Sequence, residues 1–459
     1  MIKSSLTLFF LLLTTLTFSQ SYKLGEFDNN EISLSEVAYE TDAPAVILVS
    51  EGNSRFLSGF LETTYFVRLK ILSEAGKEYA DIRIRYYAGD SNTESVNGVK
   101  AQTTNFVNGK PETVKVSKDG IFNVDLDDGY KEMRISFPNV QVGSIIEYQY
   151  RKTDKNLTFI DGWTFQSKLP TLFSNYGINM VPTLEYKVLG QGENYNAGVE
   201  KTTDNDKYSW TLRDLHSLKE EPYMKNYRDY VDRIEFQLSR YEVRGDYGPK
   251  WEFVLNTWEV LGDEVISMYS QKGFYRSNPI EKEFLEVDLK GDTQLETAEK
   301  AYYFLRNNFR VVGEDWIYPE QNLNQLLKSK VGSPVELMLT LMGILKSEGI
   351  TCEPVLIGSK GYGRSDIVPF PFLNQFDEIL LLTELDGKKH FIDLSQADAP
   401  FGYVDLDKHV TAGLYLEKEK SKLVPIDIQH ASNSIYFSQV SMNEDGQLAI
   451  TNSHRSYRY

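Results

Sequence analysis

Three textures of hydrophobic and polar positions follow one another along the chain. Lys3 precedes an apolar run at residues 6–13, extended by Leu16 and Phe18 and closed by Ser19 and Gln20. A short positive start, an apolar stretch and a small residue at its end predict an export signal over residues 1–20. No later apolar stretch is long enough to span a bilayer, so no membrane span is expected once the signal is removed. A polar segment, residues 29–44, reads as one helix or a linker. Strand texture begins at Ala45. Residues 63–72 are apolar-rich, and residues 79–87 alternate with period two, which places Ile82, Ile84 and Tyr86 on one face. Turn signals recur at Gly89-Asp90, Asn108-Gly109, Asp119-Gly120 and Asp128-Gly129. Short strands at such spacing predict an antiparallel sandwich reaching about Met224, closed by a strand at residues 233–241.

The period changes near Trp251. Phe253, Leu255, Trp258, Val260 and Leu261 cluster, and residues 250–270 are expected to be mainly helical. Residues 293–309 repeat Leu295, Ala298, Tyr302 and Leu305 at helical spacing. Residues 333–348 are apolar almost all round, the mark of a central buried helix. Strands at 353–358, 378–383 and 389–393 follow, giving one helix on an antiparallel sheet, an α+β layer. A strand pattern restarts at Asn433 and turns at Asn443-Glu444-Asp445-Gly446. About 25 residues bury no core of their own, so this hairpin is expected to open a further, truncated β domain. The expected partition is a signal at 1–20, a β domain at 29–245, an α+β domain at 246–430 and the start of a C-terminal β domain at 431–459.

Composition narrows the function classes. The 459 residues carry a formal net charge of -17, and a chain this acidic repels phosphate backbones, so nucleic acid is not an expected partner. Cys352 is the one cysteine, which excludes an internal disulfide and a zinc site of several cysteines. The five histidines, His216, His390, His409, His430 and His454, lack ligand spacing. No cofactor and no metal are expected. Tyr86, Tyr87, Tyr223, Tyr227 and Tyr230 are candidate platforms for a glycan or peptide. Residues 359–372, with Gly361, Gly363, Pro369 and Pro371, read as a loop bordering a cleft or as a connector.

The start of the central helix is the most informative local pattern. Ser333 suits the N-cap, Pro334 the first helical position and Glu336 the reciprocal arm of a capping box. Pro138-Asn139-Val140-Gln141-Val142-Gly143-Ser144-Ile145-Ile146-Glu147-Tyr148-Gln149-Tyr150 precedes it by nearly two hundred residues. Trp163-Thr164-Phe165-Gln166 and residues 233–239 lie between, and residues 332–345, 354–357, 372–376 and 391–393 follow in order. In these stretches the chain resembles exported proteins that join an N-terminal β domain of unknown function to a transglutaminase-like core with a papain-like fold. The resemblance implies a Cys at the helix start, a His on a following strand and an Asp beyond it, with the thiolate as nucleophile. Residue by residue, the Cys position falls on Pro334, the His position on Glu378 and the Asp position on Asp393. A proline also lacks the N–H that an oxyanion site would use. The expectation is therefore a catalytically inactive envelope protein, periplasmic or extracellular, that binds a peptide, protein or glycan or serves as a scaffold. Ser333, Glu336, Gln375 and Asp377 are its candidate cleft residues. The alternative is a hydrolase or transferase worked by carboxylates, which requires Glu336, Asp377, Glu378 and Asp393 to converge. Otherwise Glu336 caps the helix while Asp377 and Glu378 lie at a solvent-exposed strand edge.

Overall fold

The alternation at residues 79–87 becomes a strand, Asp81–Tyr87, with Ile84 and Tyr86 buried and Arg83, Arg85 and Tyr87 outside. The computed structural model describes residues 22–458 apart from 90–92, 127–128, 159, 223, 225, 246–247, 285, 314–315, 360–363, 365–366, 369, 397 and 429–431. The expected signal, Tyr223, Gly361, Gly363, Pro369 and His430 lie outside the described residues. The protein is mostly β, with several sheets and a smaller helical part.

Two compact units divide the chain. The first comprises residues up to 155 together with 167–178 and 209–217. Its large sheet runs Lys110–Lys115, Glu94–Val107, Ile145–Asp154, Phe60–Ile71, Ala45–Leu57, Thr171–Asn179 and Lys207–Leu215. A three-stranded sheet of Asp81–Tyr87, Tyr130–Ser136 and Ile121–Asp125 shares a core with it through Ile84, Tyr86, Val96, Ala101, Met133 and Ile135. The polar segment near the start is a short helix, Asn29–Ser33, capped by Asp28. Buried Arg68 holds that segment to the sheet. Its guanidinium meets Glu147 at 2.8 Å and Glu31 at 2.7 Å and donates to the Glu26 carbonyl at 2.7 Å.

The second unit comprises residues 156–166, 179–208 and 218 onward. A single apolar core joins the central helix Pro334–Ser347 to helices Trp258–Gln271, Ser277–Phe284, Gln294–Asn308 and Leu323–Ser329. The same core takes one face of an antiparallel sheet ordered Lys388–Ile392, Glu378–Leu385, Cys352–Ile357, Ala412–Tyr415 and Lys422–Pro425. The period of two sends Leu356, Ile379 and Leu381 to the helix side. Val355, Ile357 and Leu380 go to the opposite face, where Val404, Val410 and Ile426 cover them. A smaller sheet pairs Arg233–Gly245 with Leu184–Gln191, Gly248–Phe253 and the short Trp163–Thr164.

Residues 250–270 are only partly the expected helix. Residues 248–253 form a strand, and the helix begins at Trp258, where Thr257 Oγ1 accepts from the Val260 N–H at 3.3 Å. The last hairpin, Ser432–Met442 with Leu448–Arg458, pairs over its whole length. It leaves Ile435, Tyr436, Phe437, Val440, Met442, Leu448 and Ile450 exposed.

Candidate functional site

Ser333 has the extended backbone of an N-cap, and Pro334 occupies the first turn. Glu336, 1% exposed, closes the helix start from inside. Its Oε2 accepts from the Ser333 N–H at 3.0 Å and from Gln321 Nε2 at 2.8 Å, and its Oε1 from the Gln321 N–H at 2.8 Å. Three donors thus hold the carboxylate on the Gln321 side. Ser333 Oγ is buried without a hydrogen-bond partner among the described residues, so the backbone of Ser333, rather than its hydroxyl, takes part in the cap.

Glu378 and Asp393 do meet. Leu381 pairs with Ile392 in antiparallel register, and continuing that register sets Asp393 across from Leu380 and Glu378 across from Ser395. Alternation puts both carboxylates on the face covered by Val404 and Val410. The segment between those two valines carries a short turn, Leu406–Lys408, which delivers Lys408. Lys408 Nζ lies 2.9 Å from Glu378 Oε2 and 3.1 Å from Asp393 Oδ1, and donates to Ser395 Oγ at 2.8 Å. The lysine side chain is 5% exposed and that of Asp393 3%. Asp393 Oδ1 also accepts from the Ser395 N–H at 2.9 Å, while Asp393 Oδ2 is buried with no hydrogen-bond partner among the described residues. The cavity bounded by Trp316, Pro334, Met338, Glu378, Asp393 and Lys408 measures about 10 Å³, which is room for a single water.

Of the sequence candidates, Pro334, Glu378 and Asp393 therefore line one small cavity, whereas Ser333, Glu336, Gln375 and Asp377 do not border it. The four-carboxylate convergence is not formed, because Glu336 and Asp377 are each held elsewhere by donors of their own. Asp377, 3% exposed, accepts from the Ser359 N–H and from Ser359 Oγ, both at 2.6 Å. It clasps the base of the loop that joins the two strands and is no solvent-exposed edge residue. Gln375 works inside that loop, accepting from the Val368 N–H at 3.0 Å and donating to the Phe370 carbonyl at 3.0 Å. Gly358 sits at the loop's narrowest point, where a Cβ would overlap the carbonyl oxygens of Arg364 and Gln375.

Cys352 is fully buried, and burial pushes its thiol well above the ordinary range, the environment of an inert core thiol. His390 pairs across from Thr383, three residues from Asp393. Burial first, and then Lys388, hold its imidazole below the usual value. Tyr302, at the helix 294–308 side, donates to the Ala399 carbonyl at 2.9 Å; burial and then Asp393 push its hydroxyl upward. Among the tyrosines proposed as platforms, Tyr86 is buried while Tyr87 and Tyr230 are exposed. Lys408, Ser395 and Trp316 were not singled out in the sequence.

Residues 58–219 match a family model described as a domain of unknown function with a solved structure, DUF3857. A solved structure from Parabacteroides distasonis, described as a "putative protease", is similar with a TM-score of 0.60 at 13% identity. The match covers 84% of this chain and 72% of that one. At that identity the likeness shows a shared fold alone. Leukotriene A4 hydrolase from Saccharomyces cerevisiae is matched at 11% identity with a TM-score of 0.26, over 55% of this chain and 38% of the yeast enzyme, too low to carry an argument. No curated protein matches the chain.

Proposed function

We propose that this is an exported, catalytically inactive protein with a transglutaminase-like second part, working in the cell envelope as a scaffold or as a binder of peptide, protein or glycan. In this reading residues 1–20 are the signal, 29–245 the N-terminal β domain, 246–430 the transglutaminase-like segment and 431–459 a separate β segment. The observation that carries it is Lys408. Its ammonium fills the space between Glu378 and Asp393, beside a helix start that presents Pro334. Acyl transfer by this type of site requires a nucleophile with an adjacent base and donors for the oxyanion. Here the helix start offers a ring without an N–H, and among the described residues no histidine lines the cavity. The protease description of the Parabacteroides relative would ask the same groups of this chain.

One observation favours a second reading, a carboxylate-driven hydrolase or transferase: Asp393 Oδ2 is a buried acceptor beside the cavity with no hydrogen-bond partner among the described residues. A cavity that admits one water leaves no place for a substrate carbonyl. The test is an assay of the mature protein with amine donors and glutamine-containing peptides, run beside the Pro334→Cys/Glu378→His variant. No turnover by the parent is expected. Thiol-independent turnover abolished by Asp393→Asn would replace this reading with the second.

A further inference from the structure

The second unit holds another buried ionic cluster, in which, among the described residues, arginines outnumber carboxylates. Arg233 and Glu235 lie two residues apart on the strand Arg233–Gly245 and so share a face. Arg364, from the loop whose base Asp377 clasps, reaches the same carboxylate and donates to Glu235 Oε2 through Nη2. Arg233 Nη2 lies 3.3 Å from Glu235 Oε1, and Arg228 Nη2 lies 3.7 Å from it. Three guanidiniums therefore converge on one carboxylate. The side chains of Arg233 and Arg364 are each 5% exposed, while that of Arg228 is 44% exposed.

Arg233 is the group left short. Its Nε is buried without a hydrogen-bond partner among the described residues, an expensive condition for a charged donor. Burial pushes its guanidinium down to about 9; Glu235 opposes this, Arg364 and Arg228 add to it, and Asp229 opposes it more weakly. A buried cation persists when it is paired and its donors are satisfied.

We propose that Arg228, Arg233 and Arg364 form a binding site for an oxyanion, the carboxylate or phosphate group of a ligand, with Glu235 as the internal counter-ion that holds the guanidiniums in place. Arginine suits this role because its planar fork meets carboxylate and phosphate oxygens two at a time. In this assignment Arg228 meets the ligand from the solvent side and the two buried arginines supply desolvated donors. The site stands on its own residues and does not depend on whether the Pro334 cavity is inactive.

The test is calorimetric titration of the whole mature protein with inorganic phosphate and, separately, with acetate, at constant ionic strength set with sodium chloride. Saturable binding of at least one probe is expected, and which one binds identifies the oxyanion class. Arg228→Ala, an exposed position compatible with folding, is expected to weaken that binding about tenfold, and Arg228→Lys to recover part of it. No saturable heat with either probe up to tens of millimolar, or Arg228→Ala binding as tightly as the parent, would overturn the assignment.

Discussion

The two buried ionic clusters of the second unit were built with opposite bookkeeping. Around Lys408 two carboxylates share one ammonium, which also donates to Ser395, and the remaining space is about 10 Å³. Around Glu235 three guanidiniums share one carboxylate, and a buried Arg233 donor has no hydrogen-bond partner among the described residues. The loop that carries Arg364 leads through Asp377 directly into Glu378. On the readings proposed above, the difference separates a site that is filled from within from one that is left to be filled from outside. An ammonium inserted between the carboxylates offsets one of their two charges and fills most of the space between them. An excess of cationic donors, with one arginine at the surface, leaves chemistry for something from outside to complete.

The contrast can be broken most forcefully at Lys408. Lys408→Met strips the counter-ion from Glu378 and Asp393, and breaking a buried pair of this kind costs about 3–5 kcal/mol. Urea unfolding should show that loss, and adding Glu378→Gln should recover part of it through coupling within the pair. A loss near zero would mean that the lysine is no structural plug. Glu235→Gln is expected to cost less, about 2–4 kcal/mol, because the carboxylate is not fully buried. Phosphate at fixed ionic strength should raise the Tm of this variant more than that of the parent, because an added anion then supplies the missing charge. Equal shifts would count against the oxyanion site. Glu336→Ala removes three hydrogen bonds at the helix start and is expected to cost about 2 kcal/mol. It should do so without altering the reactivity of Lys408, since Glu336 faces Gln321. The smallest effect belongs to Arg228→Ala, below about 1 kcal/mol in chemical unfolding, as for other largely exposed ion pairs.

Legibility in the sequence followed the range of the interactions. The central helix could be read because its signals are local: Pro334 in the first turn, Glu336 three residues after Ser333, and apolar residues on most faces. Glu378 and Asp393 were located through the order of strands in a resemblance, and the register then explains why they meet. Lys408 could not be read. It sits among Asp405, Asp407 and His409, a stretch with the look of a solvated loop, and only the covering of the sheet face by Val404 and Val410 turns it inward. Glu336 was read as the arm of the capping box, which it is, but its second partner could not be read for a similar reason. Gln321 is fifteen residues away on a preceding loop, and the sequence carries no mark of that contact. The arginine cluster joins residues more than a hundred positions apart, again a tertiary fact. Two errors had local remedies. Thr257 is an N-cap that dates the helix start to Trp258 rather than Lys250, and Asn322 with Gln325 forms a capping box announcing the helix Leu323–Ser329.

Amine labelling followed by mass spectrometry measures the plugged cavity most directly. In the native protein Lys408 should resist an acylating reagent while Lys420, whose side chain is 73% exposed, reacts freely. Both should react alike once the chain is unfolded in urea. Modification of Lys408 in the folded protein at the rate of Lys420 would show an open space between Glu378 and Asp393, and the inactive reading of this site would be wrong.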